Sequence, residues 1–206
     1  MRDSAALRTS EPRQQRAIET KSGLLAAVER IVAEEGPDAV TTTRIAADTG
    51  VAVGTIYRYF ADREAMLLEA YDTNVSRLLE TCRNALDAIP DDAPITEVAM
   101  RLLDIYLDAA VASPAHAGLL GAMRRLRPAE PVSGQAQGRS INDIVAPFFA
   151  RFGQTPASRD PLKLLVVNTV ISTLVDIYLM TTDPQARAAL RREIDAHAQF
   201  MIGRML

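Results

Sequence analysis

Apolar residues recur at three- and four-residue spacing along nearly the whole chain, and prolines and glycines cut that pattern into helical segments. The first segment, from about Arg13 to Glu35, carries Ile18, Leu24, Leu25, Val28, Ile31 and Val32, and Gly36-Pro37 stops it. The stretch Thr41 to Phe60, TTTRIAADTGVAVGTIYRYF, reads as two short helices folded around a tight turn. Thr41 is placed to cap the first, Ile45 and Ala46 face inward, and Gly50 supplies the left-handed residue that ends it. In the second, Val53, Ile56 and Phe60 are spaced to dock on the first. Asp62 is placed to cap a long helix through Met66, Tyr71, Leu78, Leu79 and Leu86 to Ile89, where Pro90 stops it. Pro94, Pro114, Pro128, Pro131, Pro156, Pro161 and Pro184 divide the remainder into helices expected over 95–112, 114–127, 139–153, 161–182 and 184–205. No alternating strand pattern of convincing length occurs, so the expected fold is all-α with about nine helices. Residues 1–12 lack periodicity and are expected to form a disordered arm; Ala129 to Gly138 is expected to be a mobile loop.

Two short helices around a tight turn are the design of a helix-turn-helix, whose second helix enters the major groove of DNA. Between its inward positions that helix presents Gly54, Thr55, Tyr57, Arg58 and Tyr59. Gly54 lets backbone approach closely, the hydroxyls suit phosphate or base edges, and Arg58 supplies charge. The net charge of −3 weighs against a whole-surface DNA binder, so distribution matters more than the sum. Residues 1–63 hold as many acids as bases, but Glu29, Glu34, Glu35 and Asp38 gather apart from Arg13, Arg16, Arg44, Arg58 and Arg63.

The segment GPDAVTTTRIAADTGVAVGTIYRYFADREAMLLEAY, residues 36–71, resembles the DNA-binding domain of the TetR family of bacterial repressors. The shared signature is a Gly-x-x-Ala turn, a Thr-capped helix, Ile-Ala, Gly-Val, Gly-Thr-Ile-Tyr-x-Tyr-Phe, then a charged residue, Glu and a leucine-rich helix. The resemblance implies a helix-turn-helix domain over 13–63, a helix from 62 that links it to the rest, and a ligand-binding and dimerisation domain over 64–206. It implies DNA contact by Thr41, Thr43, Arg44, Val53, Gly54, Thr55, Tyr57, Arg58, Tyr59 and Arg63. Thr55 and Arg58 are expected to read sequence, while Thr41, Tyr57, Tyr59 and Arg63 position the backbone. Two positions depart from the family pattern: Ala52 removes a hydroxyl cap from the second helix, and Val53 offers only apolar contact. The implied assembly is a homodimer on a palindromic operator, released by a small-molecule effector.

The last two segments suit that assembly. The helix over 161–182 is apolar nearly all round, as a helix buried on two sides must be, and the one over 184–205 is amphipathic. Together they could form half of a four-helix dimer seam, or simply pack within one subunit. Asn168, Ser172 and Asp176 recur every four residues and form one polar stripe. Such groups either orient a mostly apolar ligand or bond neighbouring backbone and the dimer seam. Met100, Leu103, Tyr106, Met123, Phe148 and Phe152 are the other candidate pocket residues, with plain core packing as the alternative.

Catalytic constellations are thin. His116 and His197 are the only histidines, no glycine-rich phosphate loop occurs, and the Asp48-Thr49-Gly50 tripeptide sits at a helix end rather than in a strand–loop setting. The single cysteine, Cys82, excludes an internal disulfide and a multi-cysteine metal site. No cofactor and no metal are therefore expected, and function is expected to come from binding. The longest apolar run, Leu164 to Met180, is interrupted by Asn168 and Asp176 and is a little short for a bilayer, and the N-terminus lacks a signal-like core. The expectation is a cytoplasmic protein without membrane contact. A ligand-independent DNA-binding protein, a transcriptional activator and an all-α enzyme with an acquired DNA-binding head are the alternatives.

Overall fold

The computed structural model describes residues 4–127, 142–153 and 155–205. They form α1 (Ser4–Glu35), α2 (Thr42–Thr49), α3 (Val53–Ile56), α4 (Arg63–Asp87), α5 (Ile95–Ala112), α6 (His116–Leu126), α7 (Asn142–Phe152), α8 (Pro161–Met180) and α9 (Pro184–Gly203). Short 3-10 turns occupy Pro37–Ala39 and Ala157–Arg159, and no strand occurs among the described residues. The architecture is all-α, as the periodicity indicates.

Local cap chemistry sets most boundaries. The Thr41 hydroxyl accepts from the Arg44 amide at 3.1 Å, and Gly50 takes φ 71° to end α2. Asp62 accepts from the Ala65 amide at 2.7 Å, Asp160 from Leu162 at 2.9 Å, and Asp183 from Ala186 at 2.7 Å. Asp183 must stay outside α9 to cap it, and Thr181 is extended, so α8 stops at Met180 rather than at 182. The expected arm is corrected: residues 4–12 are helical, and α1 begins at Ser4. Ala5, Ala6, Leu7, Arg8 and Glu11 are helix-compatible, and a helix already nucleated downstream extends by one hydrogen bond per residue. The loop expected over 129–138 lies outside the described residues.

Three apolar clusters hold the elements together. The head core joins Leu24, Val28 and Ile31 of α1 to Ile45, Ile56, Phe60 and Met66, and takes Leu119 from α6. A second core gathers α4, α5 and α7 around Val75, Leu79, Leu102, Phe148 and Phe149. A third joins Leu78, Leu107, Leu120, Val175 and Ile194. Adjacent residues Leu119 and Leu120 thus serve different cores, and Tyr71 of α4 touches all three. Helices α4 and α6 are therefore the bridges between the helix-turn-helix head and the helical body. Their fit on the head is close: a Cβ added at Gly118 would lie 2.6 Å from Val32 Cγ1.

At the same junction His116 is 1 % exposed, and its Nδ1 lies 2.7 Å from Asn74 Oδ1. Asn74 Nδ2 donates to Ser113 Oγ at 2.8 Å, so its Oδ1 is left to accept and His116 Nδ1 carries the proton. His116 Nε2 is then an unprotonated, buried nitrogen without a partner among the described residues. Helix α8 is long and apolar enough to cross a membrane by length and composition. Here it packs against α9, α6, α5 and α7, and its Asp176 pairs with Arg124 of α6.

Candidate nucleic-acid interface and body cavity

The helix-turn-helix is positioned by two side chains that leave no exposed surface, Ile45 from α2 and Ile56 from α3. Helix α3 itself is four residues long, and its backbone pairing continues through Phe60, whose amide bonds the Ile56 carbonyl at 3.0 Å. Ala52 provides no side-chain cap, as its methyl dictates.

Outward from this frame, Gly54, Tyr57 and Arg58 are exposed, Tyr57 to 54 %, while Val53, Thr55 and Tyr59 are half-buried. Arg58 Nη2 reaches Thr55 Oγ1 at 3.4 Å, so these two groups share one patch. Thr41 and Thr43 are exposed at the start of α2, with their hydroxyls 3.1 Å apart. Three of the head's other arginines, Arg30, Arg44 and Arg63, are engaged, while Arg16 is exposed on α1. Arg44 pairs with Glu35 at 2.5 Å, and Arg30 pairs with Asp48. Arg63 folds back over the turn before α2: its Nε donates to the Val40 carbonyl at 2.8 Å and its Nη2 to the Pro37 carbonyl at 2.7 Å. A third contact, to Asp38 at 3.2 Å, completes the set. The Pro37 carbonyl also accepts from the Val40 amide at 3.2 Å, whereas the Val40 carbonyl has no other partner among the described residues, so the guanidinium staples that turn to the start of α4.

This arrangement separates the roles of two arginines that the sequence groups together. Arg63→Met is expected to destabilise the protein by about 2 kcal/mol, since two backbone acceptors lose a charged donor. Arg58→Ala, whose side chain makes only the weak Thr55 contact among the described residues, is expected to stay within about 0.5 kcal/mol of the parent. Chemical denaturation of the two variants side by side measures the difference.

In the body, α4, α5, α7, α8 and α9 line a partly open cavity of about 100 Å³. Of the expected pocket residues, Leu103, Tyr106, Phe148 and Asn168 line it. Met100 and Met123 pack on the third core instead, and Phe152 lies behind Phe148 with ring centroids 5.8 Å apart. The polar stripe on α8 divides. Asn168 reaches the cavity, Ser172 donates to the Thr169 carbonyl of its own helix at 3.2 Å, and Asp176 is taken by Arg124. Leu79 and Cys82 of α4 also form part of the wall, which sequence reading did not single out. Burial pushes the Cys82 thiol up to about 11 and raises Tyr106 above the usual phenol range, so both are neutral near pH 7.

Residues 24–70 match the model of the bacterial regulatory proteins of the tetR family. No curated protein matches the chain. Among solved structures the chain is similar to a TetR-family transcriptional regulator from Streptomyces coelicolor, with TM-score 0.61, 19% identity, and coverage of 90% of this chain and 99% of that one. It is also similar to the fatty acid degradation regulator FadR from Bacillus halodurans, with TM-score 0.56, 15% identity, and coverage of 88% and 93%. These likenesses extend the shared fold from the head through the body.

Proposed function

Starting from a chain that belongs to the tetR family, and so to DNA-binding transcription regulators, we propose a homodimeric repressor whose operator affinity falls when a small apolar or amphipathic ligand enters the body. Residues 13–63 act as the DNA-binding domain and 64–206 as the ligand-binding and dimerisation domain. The observation that carries the reading is the patch formed by half-buried Thr55 of α3 and exposed Arg58 just after it, beside a head whose Arg30, Arg44 and Arg63 are held by other groups. Specificity then rests on a few contacts from that patch, supported by Thr41, Thr43, Tyr57 and Tyr59, with Val53 and Gly54 allowing close approach.

Dimerisation is supported by the outer face of α8. Leu162, Val166, Ile177 and Met180 are exposed large apolar residues, and exposed Thr169 and Thr173 fill the gap between them on the same helical stripe. A stripe of this length without a charge suits the seam of a four-helix bundle, with α9 presenting Phe200 alongside. Two heads held by such a seam enter successive major grooves when their recognition helices lie ~34–36 Å apart.

The cavity favours a ligand-responsive regulator over a ligand-independent one. Its wall includes Leu79 and Cys82 of α4, and the first turns of that same helix place Met66, Leu67 and Ala70 in the head core. A ligand that fits better with α4 tilted shifts the dimer toward a head spacing that no longer matches DNA. The coupling to expect is ~1–3 kcal/mol, or roughly 5- to 150-fold in operator affinity.

The test is a gel shift on DNA flanking the protein's own gene, at roughly 100–150 mM salt because phosphate contacts dominate affinity. The parent is expected to give a discrete shift that resists competitor DNA. Arg58→Ala is expected to weaken it about tenfold or more while light scattering still reports a dimer. Unchanged affinity in the variant would remove Arg58 from the interface.

A further inference from the structure

Asn168 stands out on the cavity wall because its buried carboxamide oxygen has no partner among the described residues. The residue is 8 % exposed, it lines the cavity between α4, α5, α7, α8 and α9, and its Oδ1 is buried without a hydrogen bond among the described residues. An unsatisfied polar atom in a core costs stability, and native proteins keep few of them without a reason. Ser172 and Asp176, one and two turns further along α8, are satisfied by Thr169 and Arg124, so on this stripe only Asn168 is left without a partner among the described residues.

The surroundings narrow what could meet it. Among the described residues no charged side chain lines the cavity, and apart from Asn168, Cys82 and Tyr106 the described wall is aliphatic or aromatic. An ionised ligand would lose its hydration there and find no counter-charge. Size is equally restrictive: at about 100 Å³ the resting cavity is smaller than an ordinary drug-sized pocket. It approaches the roughly 150 Å³ at which an apolar protein cavity takes up benzene. A hydroxyl both donates and accepts, so it satisfies the Asn168 carboxamide whichever way its oxygen and nitrogen point.

We propose that this cavity binds a small neutral ligand, one ring or a chain of comparable size, that carries a single hydroxyl seated on the Asn168 carboxamide. The proposal deepens the reading of the cavity as the effector site and rests on it. In this arrangement Asn168 lowers the stability of the empty protein and selects hydroxylated ligands over their hydrocarbon isosteres.

Isothermal titration calorimetry of the full chain with p-cresol and with p-xylene, which differ by a hydroxyl for a methyl, tests it. The ratio of the p-xylene Kd to the p-cresol Kd is expected to fall at least tenfold in Asn168→Leu, because the leucine leaves the ligand hydroxyl unpaired. The same substitution removes an orphaned polar group, so its Tm is expected to rise by about 2–4 °C. Asn168→Ala, which only deletes atoms, gives the same change in ratio if leucine proves too bulky. An absence of p-cresol binding to the parent, or a ratio unchanged in both variants, would overturn the proposal. Asn168-dependent p-cresol binding that leaves the gel shift untouched would uphold the ligand class and overturn the effector role instead.

Discussion

A glutamate in place of Val166 is expected to split the proposed dimer and to weaken operator binding by about a hundredfold or more. Val166 is 47 % exposed in one subunit and lies one turn after Leu162 on the uncharged stripe that runs to Met180. In a dimer its counterpart would approach across the seam, and two carboxylates would be drawn out of water beside one another. Each subunit should still fold, because the substituted side chain faces away from all three cores. The loss at DNA is large because two linked heads bind with an effective concentration that one head lacks, a gain of roughly 10²- to 10⁴-fold. Sedimentation and a gel shift on the same preparation check both halves. A variant that remains dimeric and binds normally would move the seam elsewhere.

A second large effect is expected from acid. His116 is buried with Nε2 unpartnered, and burial lowers its pKa from 6.5 to about 4. The unfolded chain therefore binds a proton between those values that the folded chain refuses. Stability is fully present above pH 6.5 and declines as pH falls toward 4, at about 1.4 kcal/mol per pH unit, or about 3 kcal/mol over the window. The site is the junction where Asn74 of α4 meets Ser113 and His116. In His116→Gln an amide donor still faces Asn74 but nothing titrates. Denaturation curves between pH 7 and pH 4 should show the parent losing stability more steeply than the variant, by one proton. Parallel curves would remove His116 as the source.

How much of this was legible beforehand follows the range of each interaction. Thr41, Gly50, Asp62 and Asp183 act on amides or backbone within a few residues of themselves, so the helix-turn-helix and most helix starts can be read from composition and spacing. The N-terminal extension of α1 was not legible, because Ser, Thr and Pro look like coil until a formed helix lies downstream to extend. Arg63 looked like a phosphate contact since its carbonyl partners lie 23 and 26 residues back. The α8 stripe was visible as Asn168, Ser172 and Asp176, but only folding brings Arg124 to Asp176 and leaves Asn168 by itself at the cavity. His116 carried no local signal at all: its partners Asn74 and Tyr71 come from another helix, and a lone histidine in an apolar segment does not announce them.

The central claim is that two copies of this head read a symmetric DNA site. Selection of bound molecules from a pool of random double-stranded DNA, followed by sequencing, tests it most directly. The expected result is an enriched inverted repeat whose half-site centres lie about one helical turn apart, ~10–10.5 base pairs, or a multiple of that, with enrichment lost in Arg58→Ala. A pool that shows no enrichment over its input, or an enriched site without a repeat, would contradict it.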